Sequence, residues 1–325
     1  DEMKDRIRFL LSTYNLPLTT SAPPFIGTFH SLSARILRTH AKKIGYLGSF
    51  SILDEDDELG LIKEAMKETR INPKQFAPAA IRHAVSSAKS NLLTPEQYEE
   101  QFGASDLYPH TIHTVYTHYQ KQLKDSNAMD FDDLLMNAYF LFTAHPDILA
   151  SYQERLHYIH VDEYQDTDRT QYLLMNLLAR THRNIAAVGD DAQSIYSFRG
   201  ADVGNMLSFE RDWPGAQVII LDQNYRSTKI ILDAASALIS RNHRQKEKRL
   251  WTEKGEGERI MLSMAATERQ EAVAAASAIQ QLIKQDGVRP EDIAARYRIN
   301  AQSRVMEEAL IARDIPYRLI GGVRF

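Results

Sequence analysis

Three short apolar runs, His157 to Val161, Asn184 to Val188 and Gln217 to Leu221, are punctuated by helical patterns at Asp168 to Arg180 and Thr228 to Ser240. Aliphatic runs of this length read as strands buried on both faces, and a β-α-β order demands parallel neighbours joined by helical crossovers. The fold class is therefore expected to be α/β, with a parallel sheet whose ligands collect at the carboxyl ends of the strands.

Upstream the texture differs. Ser31 to Lys43, Asp56 to Glu68, Ala79 to Ser90 and Thr111 to Lys124 each space apolar residues for a helix, with turn signals at Asn72-Pro73, Thr94-Pro95 and Tyr108-Pro109. Downstream a second alternation has expected strands at Arg259 to Met264, Ile293 to Arg298 and Tyr317 to Ile320, and helices at Glu268 to Gln285 and Ala301 to Arg313. A new α/β unit thus begins near residue 217. The 325 residues suffice for two or three domains, and no repeat or low-complexity tract interrupts them.

Composition narrows the function classes. There is no cysteine, which removes disulfide frameworks and thiolate metal sites, and no apolar stretch has the length of a membrane span, the run Leu134 to Phe142 included. A soluble, cytoplasmic protein without membrane contact is expected. The net charge of -4 argues against coating nucleic acid through bulk positive charge. The basic run of Arg241, Arg244, Lys246, Lys248 and Arg249 reads first as a solvated surface.

The first expected strand ends in Asp162-Glu163-Tyr164-Gln165-Asp166-Thr167. Carboxylates at a strand end suit Mg²⁺, which takes one or two protein carboxylates plus substrate phosphates, and a neighbouring carboxylate can deprotonate water. Asp162 would then serve the metal and Glu163 would be the base; an isolated acidic pair also suits the first turn of a helix. The second strand runs into Gly189-Asp190-Asp191-Ala192-Gln193-Ser194-Ile195-Tyr196-Ser197-Phe198-Arg199-Gly200-Ala201. Its aromatic and guanidinium planes are surfaces on which single-stranded bases stack, or else Tyr196 and Phe198 are core aromatics. After the third strand, Arg226 stands near a helix start, where a cation can reach a γ-phosphate.

Taken together, these segments resemble the UvrD/Rep-like branch of superfamily 1 DNA helicases. The resemblance is carried by Thr28-Phe29-His30-Ser31 with Arg35-Ile36-Leu37-Arg38, by Met129-Asp130-Phe131-Asp132-Asp133-Leu134-Leu135, and by the Asp162 to Thr167 and Gly189 to Ala201 segments. Asn224-Tyr225-Arg226-Ser227 and Tyr297-Arg298-Ile299-Asn300-Ala301-Gln302-Ser303-Arg304 complete it, in the family's order. It implies a RecA-like first motor domain at 1–50 and 128–216, a helical insertion at 51–127, and the beginning of a second RecA-like domain at 217–325. It also implies ATP and Mg²⁺ as cofactors, with Asp162 on the metal, Glu163 activating water, Gln193 sensing the γ-phosphate, Tyr225 near adenine and Arg226 as arginine finger. Thr28, His30, Tyr196, Phe198, Arg199, Arg298 and Asn300 would line the path of single-stranded DNA. The implied activity is 3′-to-5′ DNA unwinding, with single strands, junctions and repair or replication proteins as partners. Two positions depart from the pattern: Ile299 stands where threonine is common, and Ala192 where an acid is common.

A helicase of this kind opens on a G-x-x-x-x-G-K-[ST] loop, yet no glycine here is followed by lysine. Asp1 to Ile7 resembles the helix after that loop, and Gly321 to Phe325 resembles the lead into the rest of a second motor domain. The expectation is a fragment, cut at both ends and without ATPase of its own. Two other readings remain open from sequence: a non-catalytic DNA- or protein-binding module, and a metal-dependent nuclease using Asp162, Glu163 and Asp190.

Overall fold

The computed structural model describes residues 2–13, 24–103, 106–246 and 248–320, which form two compact units: 1–221 with 239–248, and 222–238 with 249–325. The expectations for Asp1 and for Gly321 to Phe325 lie outside the described residues.

In the first unit, helix α1 (Glu2–Thr13) is followed by α2 (Phe29–His40), which begins where Thr28 accepts the Ser31 N–H. A two-residue strand β1 (Ser51–Ile52) then leads to α3 (Glu55–Glu68), α4 (Pro78–Ser90), α5 (Pro95–Phe102) and α6 (Leu107–Asp125). The chain returns through β2 (Ala128–Met129), which pairs in parallel with β1, Ser51 opposite Ala128. This stretch has its own core of Ile62, Met66, Ile81, Val85, Val115 and Tyr116. Side chains cap two of its helix starts. Asp54 caps α3, and Thr94 with Gln97 forms a reciprocal box on α5, while Pro at the first turn of α4 and α5 presets the helical φ.

Helices α7 (Phe131–Ala144) and α8 (Pro146–Arg155) follow, then β3 (Ile159–Val161), α9 (Arg169–Ala179) and β4 (Ile185–Ala187). Strands β3 and β4 are parallel, with Val161 opposite Ala187. A second core joins Ile36 and Leu37 of α2 to Leu134, Leu141 and Phe142 of α7 and Leu174 and Leu178 of α9. Two short helices, α10 (Gly204–Leu207) and α11 (Phe209–Asp212), close the unit.

Between the helical stretch and this second core lies a buried charge cluster. Lys89, 0% exposed at its side chain, donates to Asp130 Oδ2 at 2.5 Å and Asp133 Oδ1 at 2.9 Å. Asp130 also accepts from the Tyr119 hydroxyl at 2.8 Å, and Asp133 from Gln120 at 3.1 Å. Asp130 and Asp133 moreover cap α7 reciprocally, so neither carboxylate is left without donors. Burial opposes the Lys89 charge, but the two carboxylates more than offset it and raise its pKa; burial and Asp130 push Asp133 up to about 6. Nearby Glu58, hydrogen-bonded to Arg82 at 3.3 Å, is raised to about 7 by burial and then by Asp130.

The second unit contains α12 (Lys229–Ile239), α13 (Glu268–Lys284) and α14 (Ser303–Ile311). Its core is small: Ala272, Ala276, Ala309, Leu310 and Ile315. The expected strands at Gln217–Leu221, Arg259–Met264, Ile293–Arg298 and Tyr317–Ile320 form no ladder among the described residues. A strand exists by its hydrogen bonds to a neighbour, and these runs have none, so Met261 and Leu262 remain 93% and 92% exposed. The chain is helix-rich with small parallel sheets, rather than one extended sheet. Among the described residues no helix is long and apolar enough to cross a membrane.

Candidate functional site

The carboxyl ends of β3 and β4 lie side by side because the strands are parallel and in register. Backbone pairing continues past them: the Val188 N–H donates to Val161 O at 2.8 Å, and the Tyr164 N–H to Val188 O at 2.9 Å. Asp162 and Glu163 follow β3 and are exposed. Glu163 adopts the left-handed conformation, φ 51° and ψ 41°, and its N–H donates to Asp162 Oδ1 at 2.9 Å. A non-glycine residue there carries a conformational cost, which the surrounding turn sustains. Tyr164, packed with Val161 and Met175, and a 3₁₀ turn over Tyr164–Asp166 anchor it from below.

Gln165, 1% exposed, links the two strand ends. Its Nε2 donates to Glu163 Oε2 at 2.8 Å, and its Oε1 accepts the Asp190 N–H at 3.0 Å. The approach is close enough to require glycine at 189: a Cβ there would stand 2.7 Å from Gln165 Oε1. Asp190 Oδ2 in turn accepts from Gln193 Nε2 at 2.7 Å, and Asp190 Oδ1 accepts the Ala192 N–H at 3.0 Å. A continuous path of hydrogen bonds therefore runs from Glu163 through Gln165 and Asp190 to Gln193. Burial opposes ionisation of Asp190, yet the bonds from Lys248 and Gln193 outweigh it and hold its pKa below the ordinary value.

Beyond Gln193 the loop is laced back onto the β3 turn. The Asp202 N–H donates to Thr167 O at 3.0 Å, Asn205 Nδ2 to the same oxygen at 3.0 Å, and Gly200 takes φ 91° at the bend. With its base fixed, the loop presents Tyr196 and Phe198 to solvent, the latter 65% exposed, with ring centroids 6.0 Å apart. The Arg199 guanidinium lies 5.7 Å from both rings. These aromatics are surface groups and not core.

Thr28 and His30 serve the start of α2. Thr28 Oγ1 accepts the Ser31 N–H at 3.2 Å, and half-buried His30 packs edge-on against Phe131 at 5.7 Å. Burial lowers the His30 pKa, so the ring it offers is neutral at physiological pH. Phe29 between them packs against Val161 and Tyr164, which ties this segment to β3.

Tyr225, Arg226, Arg298 and Asn300 belong to the second unit. Asn224 Oδ1 accepts the N–H groups of Arg226 at 3.0 Å and Ser227 at 2.7 Å, a side-chain turn that fixes the backbone ahead of α12, and the Tyr225 and Arg226 side chains are exposed. Tyr225 is 74% exposed, its hydroxyl donating to Gln223 at 2.6 Å. The Arg298 and Ile299 N–H groups both donate to Gln302 Oε1, and the side chains of Arg298 and Asn300 face solvent.

Two residues of the network, Gln165 and Lys248, carry no signal in the sequence alone: Gln165 lies among acids with no role its residue type dictates, and Lys248 lies in a basic run whose composition suggests a solvated surface. In the structure Lys246 pairs with Glu210, and Lys248 with Asp190 and Asp191. The nuclease reading loses its third ligand, because Asp190 is committed to Lys248 and Gln193; among the described residues no three acids or histidines stand together as a metal-holding group.

Residues 1–214 match the UvrD/REP helicase N-terminal domain, and residues 219–325 the UvrD-like helicase C-terminal domain. Similar relatives include the ATP-dependent DNA helicase PcrA of Leuconostoc citreum, 43% identical over 324 residues, and that of Bacillus subtilis, 44% identical over 324 residues. Both alignments cover 100% of this chain but only 42% and 43% of the respective relative, so the chain spans less than half of their length. Matched by two family models that between them cover nearly all of its residues, the chain belongs to the UvrD/REP family of helicases.

Proposed function

We propose that the chain forms part of an ATP-driven DNA helicase that couples hydrolysis to 3′-to-5′ movement on single-stranded DNA. The observation that carries this reading is the hydrogen-bonded path Glu163–Gln165–Asp190–Gln193 across two parallel strand ends, with exposed stacking faces in the same loop. Such a path lets one side chain sense a phosphate while another, bonded to it, handles the attacking water.

In this reading Glu163 accepts the proton of water, and Gln165 holds one of its oxygens so that the other faces outward. Gln193 directs its remaining N–H toward the terminal phosphate. Tyr225 offers a face for adenine, and Arg226 the cation that offsets charge growing on the transferred phosphoryl group. Mg²⁺ with ATP would supply charge neutralisation, and the donors fit: Asp162 is an exposed hard oxygen at a strand end, enough for a cation that brings phosphate and water ligands of its own. Tyr196, Phe198 and Arg199 give sequence-tolerant stacking to single-stranded bases, and Thr28, His30, Arg298 and Asn300 are further contacts along the strand. Residues 51–127 act as the insertion between parts of a first motor domain at 1–50 and 128–216, with 217–325 contributing to a second. The setting is cytoplasmic, with junctions and repair or replication proteins as partners. The 325 residues alone contain no glycine followed by lysine, so ATPase is expected only from a longer protein that includes them.

The test uses the full natural gene product. Glu163→Gln should abolish DNA-stimulated ATPase while leaving single-strand affinity within about threefold, and Phe198→Ala should weaken that affinity about five- to hundredfold. Full ATPase in Glu163→Gln, or unchanged DNA affinity in Phe198→Ala, would refute the corresponding half of the proposal.

A further inference from the structure

Among the described residues, Lys248 is the member of the basic run whose side chain reaches the strand-end network. Its Nζ donates to Asp190 Oδ1 and, at 2.7 Å, to Asp191 Oδ1. Asp191 is 1% exposed at its side chain and is held from its other oxygen by the Lys246 N–H at 2.5 Å. Both Asp190 oxygens thus have donors, Oδ1 taking Lys248 and the Ala192 N–H, and Oδ2 taking Gln193. Segment 239–248 groups with the first unit, although residues 222–238 and 249–325 on either side of it belong to the second.

We propose that Lys248 is a positioning residue for nucleotide sensing: it fixes the Asp190 carboxylate, which in turn fixes the orientation of the Gln193 carboxamide. A carboxylate only accepts, so Asp190 selects the amide nitrogen of Gln193 and turns its carbonyl oxygen away. One Gln193 N–H is used in this contact; the second N–H and the oxygen remain for a phosphate and a water. Neutral Asp190 would lose that selection, because a protonated acid could equally donate to the amide oxygen. Lys248 prevents this by keeping Asp190 ionised in a half-buried place, and its second bond to Asp191 keeps the ammonium from following Asp190 as a flexible surface lysine would. The two bonds together make a strut for the Asp190 carboxylate, while the Asp190 backbone N–H is held separately by Gln165 Oε1, whose Nε2 donates to Glu163.

The inference rests on the reading of Gln193 as a phosphate-facing group, and the experiment separates the two. In the full natural gene product, DNA-stimulated ATPase is measured for Lys248→Met, Lys248→Arg, Gln193→Ala and the double variant Gln193→Ala/Lys248→Met. Lys248→Met should lower kcat about tenfold with the KM for ATP within about threefold, Lys248→Arg should recover most of the loss, and the double variant should be no worse than Gln193→Ala. Should Lys248→Met fail to fold, Asp190→Asn removes the charge that Lys248 holds at nearly constant shape and should lower kcat alike. An impaired Gln193→Ala beside a Lys248→Met or Asp190→Asn of wild-type kcat overturns the positioning role alone. Additive losses in the double variant overturn it too. Wild-type kcat in Gln193→Ala overturns the reading beneath it.

Discussion

Replacing Lys89 by methionine keeps the aliphatic stem and removes only the charge, so it isolates what the buried ammonium does. Lys89 is wholly buried and hydrogen-bonded to Asp130 and Asp133 at 2.5 and 2.9 Å, and both acids are themselves buried. Breaking a buried pair by removing one partner typically costs about 3–5 kcal/mol, because the remaining charge has no counterion. The acids can escape by taking up protons, which sets a ceiling. Holding a carboxyl of ordinary pKa 3.8 neutral at pH 7 costs about 4 kcal/mol, and at pH 5 about 1.6 kcal/mol. Lys89→Met should therefore lose about 4 kcal/mol at pH 7 and roughly half of that at pH 5, read from urea unfolding followed by far-ultraviolet circular dichroism. Adding Asp130→Asn and Asp133→Asn should recover part of the loss at pH 7. A loss below about 1 kcal/mol, or equal losses at both pH values, would show that the cluster is solvated and the reasoning wrong.

Glu58 provides a second pH-dependent case. Its folded pKa is raised from 4.5 to about 7, so the native state holds a proton that the unfolded state releases; this group's contribution to stability is fully present below pH 4.5 and is lost as pH rises through 7. Glu58→Gln should flatten that fall and exceed the parent by up to about 3 kcal/mol at pH 8, measured by thermal or urea unfolding across pH; an unchanged slope counts against it. Gly189→Ala should push Gln165 aside, since the new Cβ would lie 2.7 Å from Oε1 and 3.2 Å from Met206 Sδ. In the full natural gene product the expected result is a kcat for ATP lowered about ten- to a hundredfold at nearly unchanged DNA affinity, and a normal kcat would contradict the tight approach.

Much of this was legible before any coordinates. Helical spacing placed α3, α4, α9 and α13 within a residue or two, because each has a clear apolar face and most have a capping side chain. Asp162 and Glu163 were placed at a strand end by the aliphatic run before them. What sequence could not supply was distance. Gln165 matters because Asp190, 25 positions later, comes within 3.0 Å of it, and Lys248 because it meets acids 57 and 58 positions earlier. A lysine among other cations looks solvated until its acceptors are known. The expected strands at 217–221 and 259–264 failed for the converse reason: residue type favours an extended backbone, but only a neighbouring strand makes it a ladder.

The two-residue ladder between Ser51 and Ala128 has a consequence for how the chain assembles. Pairing α2 with α7 requires residues near 37 to find residues near 135, and the Lys124 ammonium meets Ile44 O across 80 positions. Joining the ends of a flexible loop that long is opposed by chain entropy, which grows with the logarithm of loop length. Helices α3 to α6 have a hydrophobic core of their own and can collapse through nearer contacts, and once they do, Ser51 and Ala128 are already neighbours. The excursion that appears to interrupt the surrounding core then shortens the search by which that core closes.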